Sequence, residues 1–378
     1  MNKLLGIIVL SFLFCFSAMA KVKSNDLSFP KHFYTNNIKA CSFIGDESFK
    51  SNLTKIKIES LIKLDWMNEW AKGNSRSVNH ENLTTPMSLF AVTTHTAIGN
   101  NDKDEINLAK NTLTKMASAN ILLDTISRKE LKNKPRCWKN GNPEAPCWYH
   151  AYEFARDAFT NYLIIAIYLK EYLTKEELKI VDTYIKKMHK KFIKPHQFSV
   201  ADKGFYAMGN GGIPNLAYAN WANDKKLAAK EFNFRFKNIE KVFYEDGYIN
   251  NNSFRGYRGL WYHSYGLNSA LGHLYLAKLW GAEVPETVIK KVTKAAKVLN
   301  LGIKDYEKFS SRKYDGDQLN NNYKKKNARM HTHQEAIAID TLMKLVTGVI
   351  LENDPIYLRK RKKKGIDDLV GFNANCIK

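Results

Sequence analysis

Apolar side chains recur along most of this chain at steps of three and four, the spacing that lines one face of a helix. From Ile56 to Ala71 the positions Ile58, Leu61, Ile62, Leu64 and Met67 follow it. Ala151 to Leu173 repeats the pattern through Phe154, Phe159, Tyr162, Leu163 and Ile167. Thr174, with Glu177 three residues on, reads as a capping box. It opens a helix through Leu178, Ile180, Val181, Tyr184 and Ile185. The same spacing predicts helices over Pro214–Asn223, Lys225–Phe243, Tyr262–Trp280, Pro285–Leu299 and Gln334–Leu351. Gly73, Pro135, Gly211, Gly212, Gly256 and Gly281 fall between these segments, and β-type alternation is rare. Many helices with short connections argue for an all-α domain. Two related strings, WYHAY at 148–152 and WYHSY at 261–265, each open a long helix. They hint at repeated helical hairpins stacked around an axis, as in an α/α toroid.

The first twenty residues need a different reading. Lys3 precedes an apolar run from Leu4 to Phe16, too short to span a bilayer comfortably, and Ala18-Met19-Ala20 has the small-x-small form of a cleavage site. Residues 1–20 therefore read as a secretory signal peptide, 21–355 as the helical domain and 356–378 as a basic C-terminal segment. No later stretch is long and apolar enough to cross a membrane. The mature protein is expected to be exported, to the periplasm or beyond the cell, as a monomer. Five cysteines become four without Cys15, and export permits disulfides. Cys137 and Cys147 flank a Pro/Gly/Asn-rich loop and suggest a local bridge; Cys41 and Cys376 would tie the ends of the mature chain together.

Charge narrows the partners. Lys and Arg number 59 against 37 Asp and Glu, a formal net charge of +22, one less without Lys3. Such a field attracts polyanions. Export points to an acidic polysaccharide, and no nucleic-acid-binding motif is present. The run Arg359 to Lys364 reads as a solvated tail feature.

The candidate chemistry is densest in RGYRGLWYHSY, residues 255–265. Arg255 and Arg258 can hold a carboxylate in a bidentate fork. Tyr262 and Tyr265 carry phenols three residues apart on one helical face, and His263 titrates near neutrality. Breaking a uronate chain by β-elimination needs these types: a cation or amide on the sugar carboxylate, a base for the C5 proton and an acid for the leaving O4.

The stretch from Arg255 to Pro285 resembles mannuronate-specific alginate lyases of the alginate lyase superfamily, in which an R-x-L-x-Y-H-N-Y-x-L string precedes a helix. Arg258, Leu260, Tyr262, His263, Tyr265 and Leu267 match it, with Ser264 in place of the family's asparagine. LDWMNEWAKGN at 64–74 is similar to a second, less specific segment. The resemblance implies an incomplete α/α toroid, with Arg258 binding the carboxylate and Tyr265 as catalytic acid. It also implies an upstream Asn-Asn-His triplet. Here Asn210 can take the asparagine role, but Gly211 stands where histidine would be. The base is then open: Tyr265 acting twice, or Tyr206, Tyr262, His263 or His150. ARMHTHQEA at 328–336 adds Arg329, His331, His333 and Glu335, expected as sugar-cleft partners rather than metal ligands, since no third ligand is visible. No cofactor is expected. Two other functions stay open. A glycoside hydrolase would need facing carboxylates, with Glu153, Glu245-Asp246 and Asp315-Asp317 as candidates. A catalytically impaired polyanion-binding protein would explain Gly211.

Overall fold

Amphipathic and uniformly apolar helices alternate along the chain, and that alternation sorts them into two layers. A computed structural model describes residues 21–41, 85–123, 127–131, 148–199, 204–205, 212–313, 340–352 and 376. Among these residues the structure is all-α without strands; an isolated bridge pairs Phe243 with Ile249. The helices are α1 (Thr85–Gly99), α2 (Lys103–Ser118), the short α3 (Arg128–Leu131), α4 (Trp148–Leu169) and α5 (Lys175–Met188). They continue with α6 (Gly212–Ala222), α7 (Lys225–Val242), α8 (Gly259–Leu279), α9 (Glu286–Lys304), α10 (Tyr306–Ser310) and α11 (Asp340–Thr347). The segment predicted over Ile56–Ala71, the first twenty residues, Cys137 and Cys147 lie outside the described residues.

α1, α4, α6 and α8 are buried on most sides and pack on one another in chain order. From Tyr152 to Leu169 only Glu153 and Asp157 escape burial in α4. α2, α5, α7 and α9 bury one stripe and turn lysines outward; α2 packs on α1 and α5, α7 on α6, and α9 on α8 and α7. A helix apolar all round belongs inside, and one with a single apolar stripe covers it. Lysine and arginine follow the same division: of these two types the four inner helices carry only Arg156 and Lys278.

Local chemistry fixes the helix starts. Thr174 and Glu177 form the expected reciprocal capping box, and the side chains of Asp102, Asp224 and Asp305 accept from the backbone N–H three residues on. Such caps stabilise by about 1 kcal/mol each. α1 and α2 are not among the segments that periodicity predicts. α1 has no stripe to detect because it is buried nearly all round, and it is rich in threonine. Thr94 and Thr96 donate to the carbonyls of Phe90 and Val92, which absorbs their hydroxyls inside the helix.

The segment 21–41 lies across the helices as a strap. Asn233 of α7 pairs with both backbone groups of Val22, at 3.0 and 2.9 Å. Tyr275 donates to the carbonyl of Tyr34 at 2.7 Å, and the buried Trp280 meets Phe29, Phe33 and Phe232 edge-on. The strap ends at a disulfide between Cys41 and Cys376, residues 335 apart in sequence. Asn100, just past α1, pairs with the backbone N–H and carbonyl of Cys41, both at 2.9 Å. Closing so long a loop restricts the unfolded chain, and removing such a link typically costs about 2–4 kcal/mol. Cys41→Ser is therefore expected to lower Tm by several degrees, as is dithiothreitol for the unaltered chain. Identical melting with and without reductant would show that the link does not stabilise the fold.

Candidate functional site

The entry to α8 is built by a tight turn. Asn251 takes a left-handed conformation (φ 57°), and so does Gly256 (φ 57°). Between them Ser253 receives the N–H of Ile249 on its hydroxyl and donates its own N–H back to the Ile249 carbonyl. A short 3-10 turn, Gly256–Arg258, then leads into α8. From Gly259 to Leu274 every side-chain position of α8 is buried except Trp261, Tyr262 and Tyr265. With Arg258 these stand at helical steps of three, four and seven, which places all four on one face.

On that face cations and rings lie side by side. The Arg255 guanidinium lies 4.1 Å from the centre of the Tyr262 ring, and that of Arg258 lies 5.7 Å from Trp261. The Trp261 and Tyr262 rings are 4.7 Å apart. Cation–π attraction holds a guanidinium beside an aromatic ring, and its planar fork is the group whose shape matches a carboxylate. The arrangement therefore joins two planar cations to two phenols on the partly exposed face of an otherwise buried helix.

His263 stands elsewhere, which corrects its expected catalytic role. It is fully buried, with Nδ1 2.8 Å from Ser253 Oγ and Nε2 2.8 Å from the carbonyl of Ala295 on α9. Burial pushes its pKa down to about 4. With both ring nitrogens engaged inside the protein, it cannot meet a substrate; it fastens the turn and α9 to α8. A step of one residue from Tyr262 turns it about 100° around the helix, onto the face of Gly259 and Gly266.

The twin string separates in the same way. Trp148 opens α4 as expected, but Tyr152, the counterpart of Tyr265, is buried and donates to the carbonyl of Lys191 at 3.1 Å. Tyr265 stays partly exposed. His150 lies in the first turn of α4, and its side chain is outside the described residues, as are Tyr206, Asn210, Gly211, Arg329, His331 and His333.

Two features were not anticipated from sequence. The first is the turn Asn250 to Ser253, in which Asn251 and Asn252 are buried. A run of asparagines before the two arginines was its only signal. The second is a buried polar group between α6, α7 and α8. Glu231 and Arg235 pair at 2.9 Å with both side chains almost wholly buried, and Asn215 donates to Glu231 at 2.8 Å. Burial pushes the Glu231 carboxyl up, against the pull of Arg235 and Asn215. His273, near Arg235, is held neutral chiefly by burial.

The described carboxylate candidates are occupied at the surface. Glu245 pairs with Lys291 at 3.0 Å and Asp246 with Arg312 at 2.8 Å. Glu153 is half-buried on α4, and Asp315 and Asp317 lie outside the described residues. Among the described residues no group of three or more His, Cys, Asp or Glu is placed to hold a metal. A shallow depression of about 510 Å³ between α2 and α5, lined by Asn120, Lys179 and Lys187, has no comparable convergence of cations and phenols. No model of a known protein family matches the chain, and no characterised protein is significantly similar to it.

Proposed function

We propose that the chain is an exported, monomeric polysaccharide lyase that cleaves an acidic, uronate-containing polymer by β-elimination, with an alginate-like chain as its substrate. The observation that carries this reading is the α8 face itself. Arg255, Arg258, Tyr262 and Tyr265 gather where an otherwise buried helix reaches solvent. Alternation of buried and amphipathic helices supports an incomplete α/α toroid as the scaffold. The Cys41–Cys376 disulfide suits an oxidising compartment.

In this mechanism Arg258 and Arg255 bind the sugar carboxylate and offset the charge that builds on it as C5 is deprotonated. The titratable side chains described on this face are tyrosines and arginines, so the proton work falls to Tyr265. As phenolate it takes the C5 proton. The C4–O4 bond then breaks as the C4=C5 double bond forms, and the phenol returns that proton to O4, regenerating the phenolate. The lysines of the outer helices draw the polymer in at long range, so encounter weakens as salt rises.

Incubation with polymannuronate, polyguluronate and pectate tests the reading. An ultraviolet absorbance rise from unsaturated uronate is expected on at least one polymer, with KM increasing with salt. New reducing ends without absorbance would replace the lyase by a hydrolase. Binding without turnover would leave a polyanion-binding protein, the alternative that Gly211 favours.

A further inference from the structure

The Asn252 side chain is fully buried, yet three of its amide's hydrogen-bonding positions are used, and two separate segments use them. Its Oδ1 accepts the N–H of Phe205 at 2.9 Å. Its Nδ2 donates to the carbonyl of Phe205 at 3.3 Å and to the carbonyl of Tyr262 at 2.9 Å. The side chain thus mimics a strand neighbour for Phe205 while gripping the first turn of α8. α8 is shaped to receive it. A Cβ at Gly266 would fall 2.6 Å from Asn252 Nδ2, and one at Gly259 would fall 2.5 Å from the carbonyl of Ser253. These two glycines and His263 share one side of the helix, about 100° around from the arginine and tyrosine face, and together seat the turn. Phe205 is itself buried against Phe243, with ring centres 5.4 Å apart.

We infer that Asn252 is a positioning residue: its amide sets the register between Phe205 and the Arg255–Tyr265 face, across a sequence gap of 47 residues. Apolar packing would suffice to hold these segments together. It would not fix their relative position, because dispersion contacts have no direction, whereas three hydrogen bonds from one planar amide do. The catalytic part of this inference rests on the lyase reading; the register itself does not.

Two variants of the full chain test it. Asn252→Asp keeps the shape and removes both N–H donors. Gly266→Ala presses a methyl against the same amide. In the unaltered protein the Phe205 amide is expected to exchange with deuterium as slowly as amides in the middle of α8. In both variants its exchange should rise at least about tenfold, with the middle of α8 unchanged. On the polyuronate, kcat should fall about 10–100-fold with KM within about threefold, as for a misplaced catalytic group. Fast exchange of Phe205 in the unaltered protein overturns the inference whatever the variants do. So does a variant with faster exchange and unchanged kcat, which reduces Asn252 to a structural tie. If no polyuronate is cleaved at all, the lyase reading fails, and the exchange rates still decide the register.

Discussion

Tyr265→Phe is expected to fold normally and to lose turnover on a uronate polymer by about 10³-fold or more. General acid–base catalysis by one positioned group contributes about 10²–10⁴-fold, and Tyr265 is assigned both proton transfers. The substitution removes one oxygen from a partly exposed side chain, so stability should change little. The second tyrosine string supplies the control. Tyr152→Phe removes the equivalent oxygen from a buried ring that donates to Lys191, which should cost about 1 kcal/mol of stability while leaving kcat within about twofold. Ultraviolet progress curves and thermal melts of both variants decide the matter. A Tyr265→Phe enzyme within about threefold of the parent would remove Tyr265 from the chemistry. A Tyr152→Phe enzyme equally dead would show that the two strings are not distinguished by exposure.

That contrast also shows how far the sequence could be read. Helix starts were legible because caps are local: Thr174 and Glu177 need only each other. The amphipathic outer helices α5, α7 and α9 were legible from their stripes, whereas α2, which has one too, was not among the predicted segments. α1 was not legible, since a helix buried on almost every side has no polar face to set a period. Within WYHSY the residue types were visible but their directions were not. The chain enters α8 at Gly259, and that register turns Tyr262 and Tyr265 outward and His263 into the core. The pairing of Asn252 with Phe205 joins residues 47 apart, and no local pattern announces it.

Breaking the buried Glu231–Arg235 pair is expected to be the most damaging single change to stability. Arg235→Met leaves the Glu231 carboxylate buried with only the Asn215 amide as partner, and removing one member of such a pair typically costs about 3–5 kcal/mol. Removing both charges together, as Glu231→Leu with Arg235→Met, should cost far less, because no unpaired charge remains. Acid provides a second check. Burial already pushes the Glu231 carboxyl up, and without Arg235 nothing comparable holds it down. A carboxyl whose folded pKa is raised favours the folded state at low pH and loses that contribution as pH rises through the folded value. The deficit of Arg235→Met relative to the parent should therefore shrink as pH falls, while that of the double variant, which lacks the carboxyl altogether, should widen slightly because the parent alone gains from its raised Glu231. Urea unfolding of the three proteins at neutral and mildly acidic pH measures both trends. The pair also bears on the site. Arg235 donates to the carbonyl of Ser199 at 3.4 Å, and Asn215 stands in the first turn of α6. It thereby anchors both flanks of the segment that carries Tyr206 and Asn210. An Arg235→Met protein that matched its parent in stability at neutral pH would show that the pair is not what holds those flanks.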